Sequence, residues 1–281
     1  MIRLLIVLLA LSLPARAEMP FLVLASTTST QNSGLYDQIL PLFTKDTGID
    51  VRVVAVGTGQ ALRIARNGDA DALMVHHRPS EDTFVAEGYG IERRDIMYND
   101  FILAGPADDP ADIATASSVT EAIRRIARSG ALFASRGDDS GTHKKEQEIW
   151  RAAGLAPTGN WYLETGSGMG ATLNLAAAKS AYTLTDRGTW ITFGNKGPLR
   201  RLFGGDWAMF NPYGFIIVNP ERFPHAKSDL ARTLSDWLVS ERGQAAIAGF
   251  EIDGFQAFCP NAQGADPAPK HRPTCPAETR K

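Results

Sequence analysis

After Leu13 the chain has no apolar run long enough to cross a bilayer. It has only two cysteines, Cys259 and Cys275, with no further thiol or histidine pair beside them to complete a metal site. It lacks HExxH, GxSxG and the lysine-bearing phosphate loop of nucleotide hydrolases. Gly57-Thr58-Gly59-Gln60-Ala61-Leu62 lacks the third glycine of a dinucleotide fingerprint. Ser140 and His143 lie three apart without a visible orienting partner, so a hydrolase reading has little to stand on. Charge of one sign is also lacking, with 29 basic against 31 acidic residues. That balance argues against a nucleic-acid partner. These absences favour a binding protein over an enzyme, and neither a metal nor a cofactor is expected.

The first seventeen residues read as a secretory signal peptide. Met1-Ile2-Arg3 is a basic start, Leu4 to Leu13 is apolar, and Ala15-Arg16-Ala17 is a cleavage site before Glu18. A soluble, periplasmic product follows. Removing residues 1–17 takes Arg3 and Arg16 and no acid, so the formal charge moves from -2 to -4. The remaining length suits two medium domains or one large one. In an oxidising compartment Cys259 and Cys275 are expected to form a disulfide in the proline-rich tail 259–281. Closing that short loop is worth roughly 3 kcal/mol in a chain-entropy account.

What is present alternates. Phe21–Ala25 reads as a buried strand, followed by the hydroxyl run Ser26–Thr30 and a helix with Leu35, Ile39, Leu42 and Phe43 on one face. Val51–Val56, the loop Gly57–Gly59 and the helix Gln60–Arg66 repeat the unit. Ala72–Val75 is a further strand, and His76-His77 at its end read as structural, because neighbours on a strand point to opposite faces. Met97–Ala104, Ala181–Leu184 and Phe215–Val218 are also strands, and Leu230–Ile247 is one helix. The class is therefore α/β with mostly parallel sheets. In such sheets ligands sit beyond the carboxyl ends of the strands. The hydroxyl- and glycine-rich stretches at 26–34, 57–59, 135–142 and 165–168 all fall there.

The stretch from Ser135 to His143 carries most chemistry. It separates the apolar run Ala131–Ala134 from a helix over Lys144–Ala153. A helix N-terminus with small residues before it binds anions, and the Arg136 guanidinium matches paired oxygens of an oxyanion. The plainer reading is a helix cap from Asp139, Ser140 or Thr142, with Arg136 in solvent.

Several motifs together resemble the tungstate-binding proteins of bacterial ABC importers, within the type II periplasmic binding proteins. They are Thr27–Gly34, Val56–Leu62, Asn67–Asp71, Glu87–Gly90, Tyr98–Phe101, Ser135–Glu146, Trp161–Gly166 and Tyr182–Gly188. The resemblance spans about Leu24 to Phe258 and leaves out the cysteine-bearing tail. It implies two α/β lobes, 19–103 plus 214–258 and 104–213, joined by crossovers near Phe101–Ala104 and Phe215–Val218. It also implies an oxyanion between the lobes, a membrane permease as partner, a monomer and no catalysis.

A tetrahedral dianion has only acceptors, so its site should be made of donors. The implied donors are Thr27, Thr28 and Thr58 from one lobe and Arg136, Ser140, Gly141 and Thr142 from the other. Thr165 and Gly166 rank second, Asp138 and Asp139 orient Arg136 or the loop, and Lys144 and Lys145 lie at the rim. Molybdate is the nearest rival ligand, being alike in size and charge, followed by sulfate and phosphate. Bound phosphate keeps a proton and needs a carboxylate acceptor.

Overall fold

The computed structural model describes residues 18–263, so the expected signal peptide 1–17 and Cys275 of the expected disulfide lie outside the described residues. The chain opens with β1 (Phe21–Thr27), α1 (Thr28–Asn32), α2 (Leu35–Thr47), β2 (Asp50–Val56), α3 (Thr58–Arg66), β3 (Ala72–Val75) and α4 (Arg78–Ala86). The long β4 (Gly90–Pro106) leads to α5 (Val119–Ser129), β5 (Phe133–Ser135), α6 (Gly141–Ala152), β6 (Tyr162–Glu164) and α7 (Met169–Lys179). Next come β7 (Tyr182–Asp186), α8 (Arg187–Thr192) and β8 (Leu199–Gly204), then β9 (Phe210–Val218), α9 (Ser228–Val239) and α10 (Glu241–Ala248).

The strands run in the order β2-β1-β3-β9-β4-β7-β5-β6. The trio β2, β1, β3 is parallel, and so is the trio β7, β5, β6. β9 and β4 join them with antiparallel pairing. β4 pairs with β9 as far as Asp100 and with β7 from Phe101 onward, so one strand serves both halves. The apolar clusters sort the same way. Two draw on residues up to Met97 and from Tyr213 onward, and two draw on residues from Phe101 to Met209.

Local chemistry explains most boundaries. α2 buries Leu35, Tyr36, Ile39 and Phe43 and stops at Gly48, whose φ of 71° suits glycine. β3 is buried along its whole length, as expected for a strand covered on both faces. The hydroxyl run is not a loop, because β1 continues through Thr27 and α1 begins at Thr28. β4 begins at Gly90 rather than Met97, since its charges find partners. Arg93 donates to Glu81 and Asp95, each at 2.7 Å, and Arg94 reaches Asp236 at 2.5 Å. The helix expected over 230–247 breaks at Ser240, whose hydroxyl accepts from the Gly243 amide at 3.2 Å and caps α10.

Asp71, just before β3, ties three segments of the first half. Its two carboxylate oxygens accept from the amides of Val23 and Lys227, each at 2.7 Å. Asp71→Ala leaves both amides without this acceptor and should lower stability by roughly 2–4 kcal/mol in urea unfolding. A loss below about 0.5 kcal/mol, the range of an ordinary surface change, would show that water replaces the carboxylate freely.

Candidate functional site

The carboxyl ends of the strands bring the polar stretches together. Thr27 at the end of β1 is in register with Val56, so the α3 N-terminus begins beside it. Ser135 at the end of β5 is in register with Glu164, and the loop to α6 follows. α3 starts at Thr58 behind Gly57, which has no side chain to cap it. α6 starts at Gly141 behind Ser140, whose hydroxyl accepts from the His143 amide at 3.2 Å.

These two helix N-termini belong to different halves and meet closely. A Cβ at position 57 would lie 3.7 Å from Ser140 Cβ. One at position 59 would lie 1.9 Å from Asp139 Oδ2. One at position 141 would lie 2.8 Å from His76 Cε1, 2.9 Å from His76 Nε2 and 2.9 Å from Thr58 Oγ1. Glycine at 59 and 141 therefore permits an approach that any side chain would block. Each N-terminus carries about half a positive charge.

The hydroxyls of Thr58 and Thr142, at the starts of α3 and α6, are buried and have no hydrogen-bond partner among the described residues. A buried hydroxyl without a partner costs roughly 1–3 kcal/mol, and the Ser135 hydroxyl at the end of β5 is left in the same state. Arg136 is buried at the end of β5. Its Nη2 and Nε donate to Asp138 Oδ2 at 2.5 and 3.1 Å, and Asp138 Oδ1 accepts from the Ser140 amide at 3.2 Å. Asp139 points outward to Arg63 at 3.3 Å and Lys144 at 2.5 Å. Lys145 pairs with Glu148 at 3.1 Å. Both acids of the loop are thus committed to cations.

The remaining expected residues are placed differently. The Thr27 hydroxyl is shared with Ser29 Oγ at 3.1 Å and Thr30 Oγ1 at 2.8 Å. Thr28 is half-buried and lines a cleft of about 460 Å³ with Gly168, Met169 and Thr189, between α1 and the starts of α7 and α8. Thr165 supports the Arg136 loop, donating from Oγ1 to the Arg136 carbonyl at 3.3 Å and contacting Thr172 Oγ1 at 2.8 Å. Gly166 forms the turn after it, with φ 59°. Capping accounts for Ser140 but not for Thr58 or Thr142, and Arg136 is not in solvent.

Sequence reasoning passed over His76 as a possible site group. It is buried at the carboxyl end of β3, the same position in the sheet that marked the other stretches. Its Nδ1 lies 2.9 Å from Asn211 Oδ1, and its ring stacks on Tyr213 at 5.0 Å. Burial pushes its pKa down to about 4, so the ring is neutral at neutral pH. His77 lies beyond the strand as the N-cap of α4, where its side chain accepts from the Ser80 amide. His77 Nε2 lies 3.0 Å from Glu148 Oε1 on α6 and bridges the two halves. Burial pushes the Glu148 carboxyl up, but the His77 hydrogen bond and the Lys145 charge outweigh it and hold it at about 2.

The PBP superfamily domain matches residues 14–242. The tungstate-binding protein TupA of Peptoclostridium acidaminophilum is 46% identical over 245 residues, covering 86% of this chain and 86% of that protein. Among solved structures, the tungstate ABC transporter protein of Geobacter sulfurreducens is 50% identical with a TM-score of 0.76, covering 82% of this chain and 98% of that one. The tungstate-binding protein TupA of Desulfovibrio alaskensis G20 is 46% identical with a TM-score of 0.75, covering 86% and 99%.

The orphan hydroxyl at the start of α3 has a measurable signature in the empty protein. Thr58→Val removes a buried polar group without a partner, so it should raise unfolding stability by about 1 kcal/mol in the absence of ligand. A destabilisation of similar size in urea unfolding would mean that the hydroxyl is already satisfied.

Proposed function

The chain belongs to the PBP superfamily, and from that premise we propose that it is a periplasmic receptor that captures one tungstate between its two halves and delivers it to the permease of an ABC importer. Support comes from the relatives of about half-identical sequence whose names state tungstate binding or a tungstate ABC transporter. The observation that carries the reading is the pair of orphan buried hydroxyls, Thr58 and Thr142, at two facing helix N-termini beside buried Arg136. Like ends of two helix dipoles repel, and an anion between them turns that repulsion into attraction on both sides.

In this reading Thr58, Thr142 and the amides at Gly141 and the start of α3 donate to the anion. Arg136 supplies charge, with Asp138 fixing its fork. Ser140 contributes mainly by holding the α6 start, and Thr27 and Thr28 close the first-half side. The two halves act as lobes, about 19–103 plus 214–258 and 104–213. The His77–Glu148 bond would hold them closed more strongly than the exposed Arg63–Asp139 pair, which weighs little. Protonated phosphate would find Asp138 and Asp139 already engaged by cations. No turnover, cofactor or second subunit is required, so the receptor works as a monomer.

Titration calorimetry against tungstate, molybdate, sulfate and phosphate tests the reading. Tungstate should bind at one site per chain with nanomolar or tighter affinity, about -12 kcal/mol or more. Phosphate binding as tightly as tungstate would overturn it. Arg136→Ala should lose roughly 2–5 kcal/mol of affinity, and Arg136→Lys should fall between the variant and wild type. An Arg136→Ala protein within about threefold of wild type, a change too small for a lost charge-assisted bond, would remove the loop from the site.

The same reading places the mature start at Glu18 and a Cys259–Cys275 disulfide in the tail. Cys259 is not a free thiol, and its strand pairs with Tyr98 on β4. Intact mass of exported protein, with and without reductant, should show loss of 1–17 and a two-proton gain on reduction. Two free thiols in untreated material would contradict the compartment.

A further inference from the structure

We infer that His76 is a proton-linked charge-matching residue of the oxyanion site, taking up a proton from solvent when the dianion binds and releasing it when the ligand leaves. The inference rests on the proposed oxyanion function and deepens it. Asn211 Nδ2 donates to Asn99 Oδ1 at 2.6 Å and lies 3.3 Å from the Tyr213 hydroxyl, which leaves Asn211 Oδ1 as an acceptor. Taking Asn211 Oδ1 as that acceptor assigns the ring proton to His76 Nδ1, 2.9 Å away. Nε2 then carries a lone pair.

That lone pair lies on the ring edge packed against Gly141, the same point approached by the orphan Thr58 hydroxyl. In the empty site a lone pair facing two helix N-termini is well placed, because their partial charges are positive. With a fully deprotonated oxyanion bound, the balance reverses. The anion offers no proton to Nε2, and its charge favours the imidazolium in a site shielded from water. Protonation at Nε2 turns the misplaced acceptor into a charged donor and leaves the Nδ1–Asn211 bond intact.

The charged groups around the ring set the sign. Burial keeps the empty-site pKa low, at about 4. Asp186 at the end of β7 favours the charged ring, while Arg136 at the end of β5 and His77 beside it disfavour it, and Tyr213 on β9 only stacks. A bound dianion pulls in the same direction as Asp186 and offsets Arg136. The bound pKa is then above the empty one. Affinity therefore rises as pH falls through the bound value and levels off below the empty value, by at most about tenfold per pH unit for one linked proton. Glu146 on α6, buried and raised to about 7, has the same sign of dependence and must be separated from His76.

Tungstate titration at neutral pH in buffers of different ionisation heat reads the proton directly. Wild type should take up a fraction of a proton per tungstate, and Glu146→Gln should retain most of that uptake. His76→Asn keeps a donor for Asn211 but has no titratable Nε2, and it should bind with no uptake from this group and a flatter pH profile. Long-range proton–nitrogen spectra of wild type provide a check that needs no variant. His76 should be singly protonated when empty and doubly protonated with tungstate. Tight binding with no proton uptake, uptake unchanged in His76→Asn, or uptake lost only in Glu146→Gln would each overturn the inference. Absence of any oxyanion binding by wild type would instead overturn the receptor reading on which it rests.

Discussion

The arrangement depends on two helices pointing the same electrical pole at one spot. α3 and α6 come from different halves, and their N-termini approach until glycine is the only residue that fits at 59 and 141. Nothing in the apolar clusters requires this meeting, since each half packs its own core. Without an anion the approach brings positive partial charges together and buries the Thr58 and Thr142 hydroxyls, which have no partner among the described residues. The halves therefore fit best around a third body, and the chemistry of that body follows from what faces it.

The surrounding charges guard this arrangement. Asp138 keeps the Arg136 fork in place and also accepts from the Ser140 amide, so one carboxylate fixes both the guanidinium and the α6 start. Asp139 is turned outward to Arg63 and Lys144. Its left-handed backbone, φ 59°, accompanies that outward turn at a residue type that tolerates it. The loop thus contains two acids without presenting either as a free acceptor.

The sequence exposed this site unevenly. The loop around Arg136 was legible because a short apolar strand, small residues and a helix start follow one another along the chain. Thr58 was legible for the same reason. His76 was not, because a histidine pair after a strand says nothing about the Asn211 amide that meets it from a distant segment. β4 was half missed. Glu92, Arg93, Arg94 and Asp95 interrupt the apolar pattern, and their partners Glu81 on α4 and Asp236 on α9 are not adjacent in the chain. The break at Ser240 was hidden because apolar spacing continues through it, although serine at that point is a good cap.

The sheet also orders the assembly of the chain in time. The second half is contiguous, and its own strands suffice for the trio β7, β5, β6. The first half is not, because β3 must pair with β9, with Ala72 against Ile217 across the whole intervening segment. Until β9 exists, β3 stands as an unpaired edge and the cluster containing Tyr213, Phe215 and Trp237 lacks its later members. Such late, distant pairings slow folding. As the chain is synthesised, the second half can finish before the first, and the first is completed only when nearly the whole chain is available.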